Sequence, residues 1–304
     1  MLERSRGLMA AAWATLVSQI VIVGTGGAVR LTGSGLGCTT WPNCEPESFV
    51  PVPEQGIHGV IEFTNRVWGA VVVAIAVVML VMAIRRRAGR TIAWLAGLVL
   101  GLSIAQALIG AVVVWMELRP DTVGVHFFLS VILVALSAVL VWKVVVGPSG
   151  PRVAPRWQSA LVHAMTLALV VVVVVGVLTT GSGPHAGDGG AARNGLDPAV
   201  MQHVHAWPGY ALLALTVAVV AVAWRRGPRL HLRWSLALLG VILVQVVVGI
   251  VQSRLGLPIM LVGIHMVLSV VSAAIGAAVV LSLRPPQPTD ARAAREDATA
   301  AVRA

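Results

Sequence analysis

The sequence predicts an all-α integral membrane protein, with eight transmembrane helices forming two four-helix bundles related by a pseudo-twofold axis. Three observations predict it. The 304 residues are 58% hydrophobic and only 11% charged, whereas soluble domains sit near a quarter charged. Eight apolar runs are each long enough to cross the hydrocarbon layer, which takes about 20 residues of helix. Finally, the chain repeats its polar landmarks at matching spacings in its two halves.

The spans fall at 8–29, 59–84, 91–115, 122–146, 157–180, 199–224, 232–252 and 258–283. Arg4 and Arg6 precede the first in the manner of a signal peptide. Its apolar stretch is too long, however, and runs into "GTGGAVRLTGSG" without a cleavage site, so it is read as a retained helix. Basic stretches join spans 2–3 ("RRRAGR", 85–90), 4–5 ("KVVVGPSGPRVAPRW", 143–157) and 6–7 ("RRGPRLHLR", 225–233). The other loops carry acids: Glu45, Glu47 and Glu54 in the first, Asp188 and Asp197 in the third. The positive-inside rule then puts both termini in the cytoplasm of a multi-pass cell-membrane protein. The formal net charge of +10 is accounted for by anionic lipid headgroups, and nucleic acid is not a partner. Cys38 and Cys44 share the outer loop "CTTWPNC". On an oxidising face so close a pair is expected to be bridged, two free thiols being the alternative.

"QALIG" (106–110) and "QVVVG" (245–249) share Gln-x-x-x-Gly, and Gln106 precedes His126 by the same interval as Gln245 precedes His265. "LTGSG" (31–35) returns as "TTGSG" (179–183), and "EFTNR" (62–66) aligns with "QHVHA" (202–206), placing Asn65 against His205. Each half holds an even number of spans, so both enter the membrane in the same sense, about an axis along its normal. The halves are 1–147 and 148–283, followed by a Pro-, Ala- and charge-rich tail, 284–304, expected to be disordered.

Asn65, His126, His205 and His265 each lie four to seven residues inside an even-numbered span, a shared depth of ~6–10 Å at 1.5 Å per residue. Ionisable side chains inside a membrane are costly and usually functional. Imidazoles facing each other across a bundle are suited to ligating a haem iron from both sides. His163 lies near the other membrane face and reads as helix packing; His231 reads as loop surface. His203 points to a different face from His205, and the repeat register favours His205. His58 lies two turns above Asn65, on roughly the same face. His185, in "TGSGPHAGD", either reaches a ligand's polar edge or forms a turn.

These residues resemble the haem A synthase family over 8–283: "GGAVRLTGSGLGC…WPNC" after span 1, "IEFTNR" opening span 2, and a histidine early in spans 4, 6 and 8. The "EFTNR" and "TGSGPHAGD" forms look like its actinobacterial branch. The resemblance implies a membrane oxidoreductase converting the C8 methyl of haem O to the formyl of haem A for terminal oxidase. It implies a haem b cofactor between His205 and His265. The substrate haem would lie in the first half at the positions of Asn65 and His126, with Glu62 tied to catalysis. Haem O synthase, oxidase assembly factors and a second copy of the chain are the protein partners this reading admits.

Many members have histidine where this chain has Asn65, and asparagine is a poor axial ligand. The substrate iron is then held by His126 alone, or His58 swings in, or the site is degenerate. Glu62 and Asn65 share a helix face, and Arg66 is placed to pair with Glu62. Glu62 would accept protons as the methyl is oxidised, its proton affinity set by partial burial and Arg66. Arg66 and Arg30 are candidates for haem propionates, which arginine binds as a fork. Two rivals remain: a bis-histidine b-haem electron carrier to quinone without synthase activity, and a repeat-built transporter.

Overall fold

A computed structural model describes residues 6–151, 154–284 and 286–287. Arg4, part of the 143–157 stretch and most of the 284–304 tail lie outside the described residues. Among the described residues the chain forms eight α-helices: α1 Arg6–Leu31, α2 Gly56–Arg85, α3 Arg90–Trp115, α4 Pro120–Val145, α5 Arg156–Ser182, α6 Pro198–Arg226, α7 Arg229–Arg254 and α8 Ile259–Leu281. All eight are long and apolar enough to cross a membrane, so the chain is a multi-pass all-α membrane protein. Valine-rich runs that would suit strands in water are helical here because a bilayer offers no outside partner for backbone N–H and C=O groups.

Helix ends follow local chemistry. Pro120 and Pro198 occupy first-turn positions, where no N–H donor is needed. The Asp197 carboxylate caps α6, accepting from the N–H of Ala199 and Val200. Beyond α4 and α7 the chain turns at Gly147 (φ 95°) and Gly256 (φ 74°), left-handed conformations that favour glycine.

α1, α4 and α8 are the inner helices. The most apolar windows of α1 and α4 are 44% buried and that of α8 39%, against 17–22% for the other five. α1 packs on α2, α4 and α8, while α4 also touches α3, α5 and α8. α5 pairs mainly with α6 and only lightly with α8. One apolar cluster joins Leu16, Met79, Val134 and Val270, from α1, α2, α4 and α8; a second joins Met165, Leu212, Leu238 and Val279, from α5 to α8. Exposed indoles sit at both ends, Trp94, Trp157 and Trp224 at the arginine-rich end and Trp115 at the other, the levels at which amphipathic rings meet headgroups.

His231 corrects an expectation. It is not loop surface: Pro228 starts α7 at Arg229, so His231 falls in the first helical turn. It is 1% exposed, and its Nδ1 lies 2.8 Å from Ser282 Oγ at the end of α8.

Candidate functional site

Two sets of polar groups lie below the loop that follows α1. In that loop Cys38 and Cys44 are joined by a disulfide, and both are fully buried. The loop lies directly on the first turn of α2. A side chain at Gly37 would collide with the His58 carbonyl, so only glycine permits this crossing.

Under it sits Glu62, 4% exposed. Its Oε2 accepts the backbone N–H of Cys38 at 2.7 Å, and its Oε1 accepts from Arg66 Nη2 at 2.5 Å and Nε at 3.2 Å. Arg66 also donates through Nη1 to the carbonyls of Thr40 (2.7 Å) and Asn43 (3.0 Å), and through Nη2 to that of Cys38 (3.4 Å). A guanidinium has five N–H groups, and these contacts engage all five. Arg66 is therefore a clamp between Glu62 and the loop.

One turn further, Asn65 Oδ1 accepts from Thr25 Oγ1 of α1 at 2.7 Å. His58 is exposed at the turn above, its Nδ1 2.8 Å from Ser34 Oγ. On α4, His126 has a buried Nδ1 without a hydrogen-bond partner. Its ring faces Gly110 of α3, where an added Cβ would lie 3.7 Å from Cε1. Gln106 Nε2 donates to the His126 carbonyl (2.9 Å) and to Ser130 Oγ (2.5 Å), which fixes this stretch of α4.

In the second half, His205 of α6 and His265 of α8 face each other, with ring centroids 6.1 Å apart and planes at 78°. His203 is exposed, so His205 is the inward residue of the pair. The buried Nδ1 of His265 has no partner, and His205 has no more than a weak contact with the Val172 backbone, whereas buried polar atoms in a structural role are nearly always bonded. Glycines make room for both. A Cβ at Gly176 of α5 would stand 2.9 Å from His205 Cε1, and one at Gly249 of α7 3.4 Å from His265 Cε1. The Gln-x-x-x-Gly repeat thus has a spatial meaning that the sequence alone does not disclose: each glycine, Gly110 and Gly249, backs one imidazole.

Arg30, at the end of α1, donates from Nε to the His185 carbonyl (2.7 Å) and from Nη2 to that of Thr180 (3.1 Å). His185 Nε2 in turn lies 2.9 Å from the Leu257 carbonyl. Gly35 N donates to the Gly187 carbonyl at 2.7 Å. These bonds tie the first half to the end of α5 and the loop before α6, and that loop to the turn between α7 and α8.

Fold and side chains together define a multi-pass helical membrane protein whose two halves each bury imidazole against a glycine. The chain belongs to the cytochrome oxidase assembly protein family, whose COX15-CtaA model matches residues 10–277. It is 27% identical over 348 aligned positions to a heme A synthase of Caulobacter vibrioides, covering 93% of this chain and 98% of that protein. A heme A synthase of Lysinibacillus sphaericus is 34% identical over 148 residues, 48% of this chain and 47% of that one. A protoheme IX farnesyltransferase of Thermus thermophilus is 28% identical over 176 residues, covering 55% of this chain; the match spans only 28% of that longer protein.

Proposed function

We propose that the chain is a haem A synthase, a plasma-membrane oxidoreductase with both termini in the cytoplasm that converts the C8 methyl of haem O to a formyl group. The observation that carries the reading is the His205–His265 pair. A metal held ~2 Å from an imidazole nitrogen on each side puts the two ring centres ~6 Å apart, and they stand at 6.1 Å. No group of three or more His, Cys, Asp or Glu converges among the described residues. A metal taken by this pair would bring its other ligands with it, as an iron porphyrin does.

The residues fit haem b: two opposed imidazoles, each backed on its Nδ1–Cε1 edge by Gly176 or Gly249, and α5 lying only lightly against α8. When bound there, haem b supplies one-electron transfer. His205 and His265 would hold it from opposite faces, and the glycines keep both rings in position. The domain reading follows: residues 1–147 bind substrate, 148–283 hold the cofactor, and a pseudo-twofold relates them. The packing of α4 on α8, α1 on α8 and α5 on α4 supports that relation.

In the first half His126 presents a buried imidazole to the substrate haem, while the Asn65 oxygen is already engaged by Thr25. His126 is thus the axial ligand we assign to the substrate iron; His58, held by Ser34, is not needed. The Glu62 carboxylate, aimed by the Cys38 N–H and by Arg66, takes up protons as the methyl is oxidised. Arg66 acts by positioning Glu62, since its five donors are engaged. Arg30 has donors beyond its two carbonyl bonds and remains the candidate for a propionate.

The similarity to a farnesyltransferase acting on protoheme supports an enzyme that adds the farnesyl tail as the supplier of substrate. Co-expression with a haem O synthase, followed by chromatography of extracted haems, tests the activity: haem A appears. A b-type spectrum without haem A would leave the electron carrier instead. His265→Ala is expected to abolish the bound b-type spectrum of purified protein; an unchanged spectrum would remove the assigned cofactor site.

A further inference from the structure

The end of the molecule remote from Glu62 holds a second feature that haem chemistry does not use. A cleft of about 630 Å³ lies between the start of α3, the end of α4, the start of α5 and the end of α8. Arg90, Lys143, Arg284 and His163 line it, together with the hydroxyls of Thr91 and Ser149. Lys143 is half-buried, and its Nζ donates to Ser149 Oγ at 3.1 Å.

Among the described residues nothing of opposite sign faces these cations. The two ion pairs among the described residues, Glu62–Arg66 and Arg119–Asp121, are both at the far end. The described acidic residues belong to the loops and helix starts of that far end as well: Glu45, Glu47, Glu54, Glu62, Glu117, Asp121, Asp188 and Asp197. Converging like charges in a partly dry cleft repel one another, and here no described carboxylate offsets them. The remainder of the lining is apolar: Ile92, Val280, Leu281, Leu283 and Pro148. A free phosphate ion has no use for such a wall. A phospholipid does, because its phosphate meets the cations while its glycerol and upper acyl carbons meet the aliphatic side.

We propose that this cleft is a binding site for the headgroup of an anionic phospholipid, seated between the two halves of the chain. α3 and α4 contribute Arg90, Thr91 and Lys143, and α5 and α8 contribute His163 and the residues leading to Arg284. The lipid bridges the halves at this end, as Arg30 and the Gly35–Gly187 backbone bond bridge them at the other. The site is independent of haem binding.

The test uses the full chain, purified in neutral detergent and stripped of phospholipid. Phosphatidylglycerol, phosphatidylcholine and inorganic phosphate are titrated separately, read by native mass spectrometry and by the shift in Tm. Phosphatidylglycerol is expected to bind as a discrete adduct and raise Tm, with phosphatidylcholine and phosphate doing neither. Arg90→Gln with Lys143→Gln should weaken binding about fivefold for each cation removed. Arg225→Gln with Arg226→Gln, an equal charge loss at the same end but outside the cleft, should leave it unchanged. The exposed single change Arg284→Gln gives the same reading should the double variant misfold. Equal weakening by both pairs would overturn the proposal in favour of a diffuse surface field. So would equal binding of the two lipids, or reproduction of the effect by phosphate alone.

Discussion

The carboxylate of Glu62 has three protein donors and is almost sealed from solvent. Such an arrangement is costly to break: removing one member of a buried ion pair typically costs about 3–5 kcal/mol, because the other is left without compensation. Glu62→Gln keeps an acceptor for the Cys38 N–H while removing the charge, and so separates chemistry from architecture. Haem A formation is expected to be lost while the b-type spectrum of the purified protein is retained, since His205 and His265 lie on other helices. Haem A at wild-type level would take Glu62 out of the reaction. The pairing of Glu62 with Arg66 is legible in the sequence, because four residues make one helical turn. The clamp is not, because the Thr40 and Asn43 carbonyls that complete it belong to a loop whose path no local pattern encodes.

The helices themselves are legible almost to the residue, since about 20 apolar positions bounded by Pro, Gly and Arg leave few choices in a bilayer. α2 and α7 each begin three residues before the expected span; in α7 Pro228 starts the turn, and this buries His231. What single helices cannot disclose is which neighbour each polar residue meets. The glycines behind the histidines are of this kind, and their clearances are graded. An added methyl would stand 2.9 Å from the ring at Gly176, 3.4 Å at Gly249 and 3.7 Å at Gly110. Gly176→Ala should therefore displace His205 and sharply reduce b-type haem content, at an overpacking cost of about 1–3 kcal/mol. Gly249→Ala should reduce it less, and Gly110→Ala should leave it unchanged. Spectra of the three purified variants check the order, and equal occupancy in all three would remove the glycines from any positioning role.

Across the whole molecule the two halves share a pattern of landmarks and of neighbours but are not equally buried. α1 is an inner helix against α4 and α8, whereas its counterpart α5 lies towards the outside. The repeat is legible from Gln106, Gln245 and their histidines; the asymmetry is not, because it depends on how two similar surfaces settle against each other. Arg30 joins those surfaces. Each hydrogen bond from a charged donor is worth about 1.5–3 kcal/mol, so Arg30→Ala should lower Tm by several degrees through its bonds to His185 and Thr180. With α6 and α8 untouched, b-type haem content should persist, and thermal unfolding beside absorption spectra measures both. An unaltered Tm would mean that α1 and the end of α5 hold together without it.

The division of charge between the two ends also governs biogenesis. Turning the finished chain over would drag the arginines flanking α2, α3, α6 and α7 through hydrocarbon. In the orientation proposed above, an inside-negative voltage would add about 2.3 kcal/mol per elementary charge for every 100 mV. Once threaded, the protein cannot flip, and every copy in the membrane offers Glu62 and the disulfide loop to the same compartment.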